Sequence, residues 1–202
     1  MTSAILKPVL LILSLLSFSL HSAAAEQTAE SASNNPRAVI DTNRGAIEVE
    51  LYPQQAPKTV VNFLNYVKQD FYAGTVFHRV IKNFMIQGGG FTQDLQRKDT
   101  QAPVENEAFN GLPNKRGSIA MARTNQPHSA TSQFFINTAD NAFLNFRSKS
   151  MRGWGYTVFG QVIKGMDVVE QIENSRTGAS GVFSQDVPLD TVIINSIKII
   201  QP

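Results

Sequence analysis

One arginine, one glutamine and several large apolar side chains are concentrated in residues 77–91, FHRVIKNFMIQGGGF. If this run forms two short strands, side chains alternate across each, and Arg79, Phe84, Met85 and Gln87 share a face. Such a face is apolar in the middle, with a cation and an amide at its rim. It suits a compact apolar ligand that carries a carbonyl. A second stretch adds Met121-Ala122-Arg123-Thr124 and Thr131-Ser132-Gln133-Phe134-Phe135-Ile136-Asn137. On residue types alone, the same set also reads as an ordinary core hairpin with Arg79 in a surface salt bridge.

Other chemistries find little support. His78 and His128 are the only histidines beyond the N-terminal segment, and they form no i, i+4 metal pair, so no metal is expected. His78 is expected to hydrogen-bond within the core hairpin. Ser129 and Ser132 flank His128 closely, but no Gly-x-Ser-x-Gly elbow aims a nucleophile. Gly88-Gly89-Gly90 lacks the Lys-Ser/Thr of a phosphate loop and opens no predicted helix, so it reads as a backbone turn. No paired carboxylates stand out. The absence of cysteine excludes disulfides, thiolate zinc sites and a cysteine nucleophile together. Lys plus Arg number 18 against 16 for Asp plus Glu. Loss of Lys7 with the leader would leave 17 against 16, about +1, with no basic excess pointing to nucleic acid.

The elements that must position these residues are mostly short strands. Residues 37–52 read as a hairpin around Asp41-Thr42-Asn43-Arg44-Gly45, with Ile47, Val49 and Leu51 alternating with Glu48 and Glu50. Pro57 suits the first turn of a helix over 57–69, where Val60, Phe63, Leu64 and Val67 share one face. Strands are predicted over 75–80, 84–88, 117–122, 133–137, 158–163 and 191–200. A second short helix begins at Gly165-Met166-Asp167, with Met166, Val169 and Ile172 on one side. Residues 92–116 and 178–185 read as loops. Many strands, two distant helices and no βαβ alternation predict a mainly β, closed antiparallel barrel. Its interior would be filled by side chains, leaving the ligand face outside.

Ahead of this domain, Lys7 precedes an uncharged run from Pro8 to Leu20, followed by Ser22, Ala23, Ala24 and Ala25. A basic start, a short apolar centre and an Ala-x-Ala end describe a secretory signal peptide over residues 1–25, cleaved after Ala25. The run is well short of the ~20 apolar residues that span a bilayer. An uncleaved membrane anchor is the alternative. Residues 26–36 read as a flexible lead-in, and 37–202 as one domain. Export follows, and in a Gram-negative cell that means the periplasm, with no membrane attachment after cleavage.

The stretches FHRVIKNFMIQGGGF and GSIAMARTNQPHSATSQFFINT, then FLNF and YTVFGQVIKGMDVV, resemble the cyclophilin family of peptidyl-prolyl cis–trans isomerases. The likeness runs in order from Arg37 to Ile200 and includes the helix APKTVVNFLNYV. It is closest to the periplasmic cyclophilins of Gram-negative bacteria, in keeping with the signal sequence. It implies an eight-stranded antiparallel barrel capped by two helices, and rotation about Xaa–Pro bonds of proline-containing polypeptides. That reaction breaks no bond and needs no cofactor, metal or nucleophile.

In this family pattern Arg79 matches the catalytic arginine, while Phe84, Met85, Phe135 and Leu144 match the proline pocket. Gln87 and the backbone near Ala122, Arg123 and Thr124 match the groups that hold the peptide. Gln133 is expected to position Arg79 and the peptide. Three positions depart from the eukaryotic pattern. Phe143 replaces a tryptophan, Tyr156 a histidine and Arg123 an asparagine, and Trp154 lies in a different loop and does not substitute. Without the indole N–H, a donor used on cyclosporin is missing, so weak cyclosporin binding is expected. The chain is expected to act as a monomer. A proline-peptide holdase without turnover, or a purely structural secreted barrel, are the competing readings.

Overall fold

The computed structural model describes residues 1–2 and 34–200. The signal-peptide assignment, and most of the lead-in assignment, lie outside the described residues. The chain divides into units Met1–Ser31 and Ala32–Pro202, and the second carries every element below.

In chain order these are β1 (Arg37–Thr42), β2 (Gly45–Leu51), α1 (Pro57–Lys68), β3 (Thr75–Ile81), β4 (Met85–Thr92), β5 (Ser118–Met121), β6 (Phe134–Asn137), β7 (Val158–Lys164), α2 (Met166–Glu173), β8 (Thr177–Ser180), β9 (Phe183–Pro188) and β10 (Ile193–Ile200). Single 3₁₀ turns lie at Ala108–Asn110 and Ala142–Leu144. Eight strands close a barrel in the order β1-β10-β3-β4-β6-β5-β7-β2, and the registered pairs are antiparallel. The predicted mainly β barrel with two helices is therefore the observed fold.

Strand register determines which residues face inward. Val80 pairs with Ile86, Ile86 with Ile136, and Ile136 with Ile119, and all four belong to the interior cluster. Helix α1 adds Val60, Phe63, Tyr66 and Val67 to the same cluster, and α2 adds Val169 and Ile172. Phe134 lies at its centre, with edge-on contacts to Phe63, Tyr72 and Phe77 at ring separations of 5.9, 5.6 and 6.0 Å. Rings at these distances fill the barrel, so a ligand must bind outside it.

The start of α1 is held from a distance. Its N-cap residue, Ala56, makes no side-chain cap. Instead the buried Glu107 carboxylate accepts from the Lys58 N–H at 3.1 Å, the Thr59 N–H at 2.8 Å and the Thr59 hydroxyl at 2.7 Å. A carboxylate at a helix N-terminus satisfies otherwise orphaned donors and complements the helix dipole.

Two local expectations are corrected. Gly88-Gly89-Gly90 is not a turn but the middle of β4. A Cβ at Gly88 would meet Phe77 Cδ1 at 3.0 Å, and one at Gly89 would meet Phe134 and Tyr72 ring atoms at 2.9 Å. The glycines thus admit close aromatic packing, and Gly89 also holds a φ of +80°. Residues 178–185 are not simply loop, because β8 and β9 form a two-stranded ribbon. Its mostly exposed residues lack the apolar alternation that marks a half-buried strand.

Candidate active site

The alternation that puts Val80 and Ile86 inside turns their neighbours outward. Arg79 on β3 pairs with Gln87 on β4, Gln87 with Phe135 on β6, and Phe135 with Ala120 on β5. This outward row crosses four strands, and its members Arg79, Gln87 and Phe135 line a surface cavity of about 120 Å³. Arg79, Phe84, Met85, Gln87, Ala122, Arg123, Phe135, Leu144 and Tyr156 line it. Met85, Ala120, Phe135, Leu144 and Val158 form a hydrophobic cluster separate from the barrel interior, with Phe84, Ala122 and Tyr156 packed against it.

The remaining residues singled out from sequence lie around this cavity. Thr124 and Gln133 line an adjoining concavity that shares Gln87, Ala122 and Arg123 with the first. Phe143 lies outside both; it is 60% exposed and stacked on Phe84 at 5.6 Å. Trp154 is instead packed with Phe109, Phe146 and His128.

The polar contacts differ from expectation in two places. Gln133 accepts a 3.0 Å hydrogen bond from Gln87 Nε2, so its side-chain partner is that glutamine, not Arg79. Arg79 faces a carboxylate that the sequence reading missed: its Nε lies 3.7 Å from Asp186 Oδ2 on β9. That distance is too long for a strong hydrogen bond, and Arg79 remains 40% exposed. Its guanidinium therefore keeps donors free for a ligand. The neighbouring His78 is buried between Phe91 and Phe183, at ring separations of 4.6 and 5.3 Å. Its Nδ1 has no hydrogen-bond partner among the described residues, while a hydrogen bond with the Val76 backbone lies within the hairpin, as expected. Burial lowers its pKa from 6.5 to about 4 against the raising effect of the Val76 hydrogen bond, and the nearby Arg79 charge acts in the same direction as burial.

Arg123 is held firmly. Its Nε donates to the Gly155 carbonyl and its Nη1 to the Thr124 carbonyl, both at 2.8 Å, and its guanidinium lies 4.5 Å from the Tyr156 ring centroid.

Three asparagines not singled out from sequence brace the cavity walls. The buried side chains of Asn114, Asn137 and Asn141 are linked through Asn137 Nδ2 to Asn114 Oδ1 at 3.2 Å and Asn141 Nδ2 to Asn137 Oδ1 at 2.7 Å. Asn141 Nδ2 donates to the Phe84 carbonyl at 2.8 Å, and Asn114 Nδ2 to the Leu144 and Tyr156 carbonyls at 3.3 Å. Three lining residues, one on the β3–β4 turn and two on the β6–β7 connection, are thus tied to one buried network. A buried amide left unsatisfied is costly, so such a network fixes loop positions. The only sequence signal was asparagine beside a strand, which reads more readily as turn chemistry.

The family model of cyclophilin-type peptidyl-prolyl cis-trans isomerases matches residues 37–199. The chain belongs to this family. It is 58% identical over 161 residues to peptidyl-prolyl cis-trans isomerase cyp18 of Streptomyces antibioticus, covering 80% of this chain and 96% of the relative. It is 48% identical over 201 residues to peptidyl-prolyl cis-trans isomerase A of Dickeya dadantii, covering all of both. Among solved structures, a Cryptosporidium parvum cyclophilin-type isomerase determined in the presence of the dipeptide Ala-Pro aligns with a TM-score of 0.66 and 30% identity. That alignment covers 82% of this chain and 99% of that one. This cyclophilin is accordingly an enzyme of the peptidyl-prolyl cis–trans isomerase class.

Proposed function

We propose that this cyclophilin isomerises Xaa–Pro bonds in exported polypeptides, with Arg79 stabilising the twisted amide and the cavity beside it seating the proline ring. Amide rotation is opposed by resonance, with a barrier of about 18–20 kcal/mol. As the bond twists, the nitrogen loses conjugation and exposes a lone pair. A donor aimed at that lone pair binds the transition state better than either planar isomer, which is the requirement for acceleration.

The observation that supports this reading is the row Arg79–Gln87–Phe135, which places a permanently charged, planar donor at the rim of a small apolar cavity. Phe84, Met85, Phe135 and Leu144 supply apolar walls for a proline ring. Gln87, hydrogen-bonded to Gln133, presents an amide to the peptide main chain. Ala122, Arg123 and Thr124 form an edge along which the peptide extends. Phe143 and Tyr156 complete the rim. Fixing the ring while the preceding carbonyl turns holds the substrate near its transition state.

The leader over residues 1–25 supports action in the periplasm on unfolded or flexible proline-containing chains, as a monomer without cofactor, nucleic acid or membrane attachment. NMR exchange spectroscopy on an Ala-Pro peptide distinguishes turnover from holding. Catalytic amounts of enzyme should produce cis–trans cross-peaks. Peptide shifts at Phe135 without such cross-peaks would instead identify a holdase.

A further inference from the structure

Arg123 lines the proline cavity without a carboxylate partner, and Arg152 lines a second cavity that shares Arg123. Arg123 and Tyr156 line both, and the second, larger one of about 510 Å³ is completed by Asn125, Met151 and Arg152. Neither Arg123 nor Arg152 forms an ion pair among the described residues. No acidic residue lines the proline cavity, the Gln133 concavity or this larger one. Arg147 and Lys149 lie in the same 146–153 loop as Arg152 and add positive charge. Glu105, whose carboxyl pKa is lowered chiefly by its hydrogen bond to Lys58 and to a lesser degree by Lys149, is already committed to Lys58. The whole chain carries a net charge of only +2, so this local basicity is not a global excess.

Arg123 differs from a solvated surface cation. Two main-chain carbonyls and the Tyr156 ring hold its guanidinium in one place, and its second terminal nitrogen has no partner among the described residues. A cation already fixed in position loses little entropy when it meets a ligand. Arg152 lines the same cavity, which therefore carries two cations and no acidic residue.

We propose that the Arg123–Arg152 cavity is a carboxylate subsite, giving the enzyme a preference for substrates with aspartate or glutamate within two residues of the proline. This rests on the isomerase reading above, because the shared lining of Arg123 and Tyr156 is what puts the subsite next to the proline. Exposed ion pairs are modest and screened by salt. A pre-placed guanidinium acting through charge-assisted hydrogen bonds exceeds the lower end of that range.

The test uses proline peptides carrying Glu, Gln or Lys at each flanking position, assayed for kcat/KM with the wild type, Arg152→Gln and Arg152→Glu in low salt. The wild type should favour Glu over Gln about fivefold at one flanking position and disfavour Lys there. The Glu preference should shrink in 0.5 M salt, fall toward one in Arg152→Gln and reverse in Arg152→Glu. A wild-type Glu/Gln ratio near one at every position, or a ratio unchanged in Arg152→Glu, overturns the subsite while leaving the isomerase reading intact. Failure to turn over any of the peptides, the Gln series included, would overturn both.

Discussion

His78 provides a test that links packing to protonation next to Arg79. It lies between Phe91 and Phe183, and burial is the main reason its pKa falls from 6.5 to about 4. Between those values the unfolded chain binds a proton that the folded chain does not, so this contribution to stability is present above 6.5 and is lost as pH falls toward 4. At about 1.4 kcal/mol per tenfold, the full difference is about 3 kcal/mol, of which about 2 kcal/mol is lost by pH 5. His78→Phe keeps an aromatic ring in the slot and removes the titration. Urea unfolding of both proteins at pH 8 and pH 5 isolates the histidine, because the carboxylates titrate alike in each. The wild type should lose about 2 kcal/mol more than His78→Phe across this interval. Equal losses in the two proteins, or an NMR titration of His78 centred near 6.5, would refute the reasoning.

Glu107→Ala should destabilise the fold by about 3 kcal/mol in urea unfolding, since it orphans the first amides of α1 and the buried Thr59 hydroxyl; Glu107→Gln should cost less. Gly90→Ala should raise KM more than it lowers kcat. The added Cβ would meet Gln133, with Cδ at 2.6 Å, and push it away from Gln87. Cyclosporin should bind weakly in a calorimetric titration, because Phe143 stacks on Phe84 without offering an indole N–H. Nanomolar affinity would contradict that expectation.

Much of the barrel was legible because its inner rows are plain apolar alternation, as in Ile47, Val49 and Leu51 on β2. The site was less so. Residue types alone left Arg79 as readily a salt-bridge partner as a functional cation, and the structure shows it facing Asp186 at the edge of the cavity. Strand alternation already pointed to Phe84, but family resemblance, not periodicity, drew attention to Leu144 and Tyr156. Phe84 lies on the β3–β4 turn and the other two on the β6–β7 connection, and Asn114 and Asn141 tie their carbonyls into one network. Asp186 was invisible because its approach to Arg79 depends on how an exposed ribbon docks on β3, a contact more than a hundred residues apart in sequence. The glycine run misled because glycine marks both turns and close packing, and only the neighbouring rings distinguish them.

The proposed catalytic role of Arg79 is tested most directly by a protease-coupled isomerase assay on an Ala-Pro peptide with wild type, Arg79→Lys and Arg79→Ala side by side. Removing a donor that acts chiefly on the transition state typically costs about 100-fold or more in rate. Arg79→Ala should therefore lose about that much kcat/KM while keeping its fold by circular dichroism. Arg79→Lys should fall in between, retaining charge but not the planar fork. A folded Arg79→Ala protein with near wild-type turnover would contradict the account.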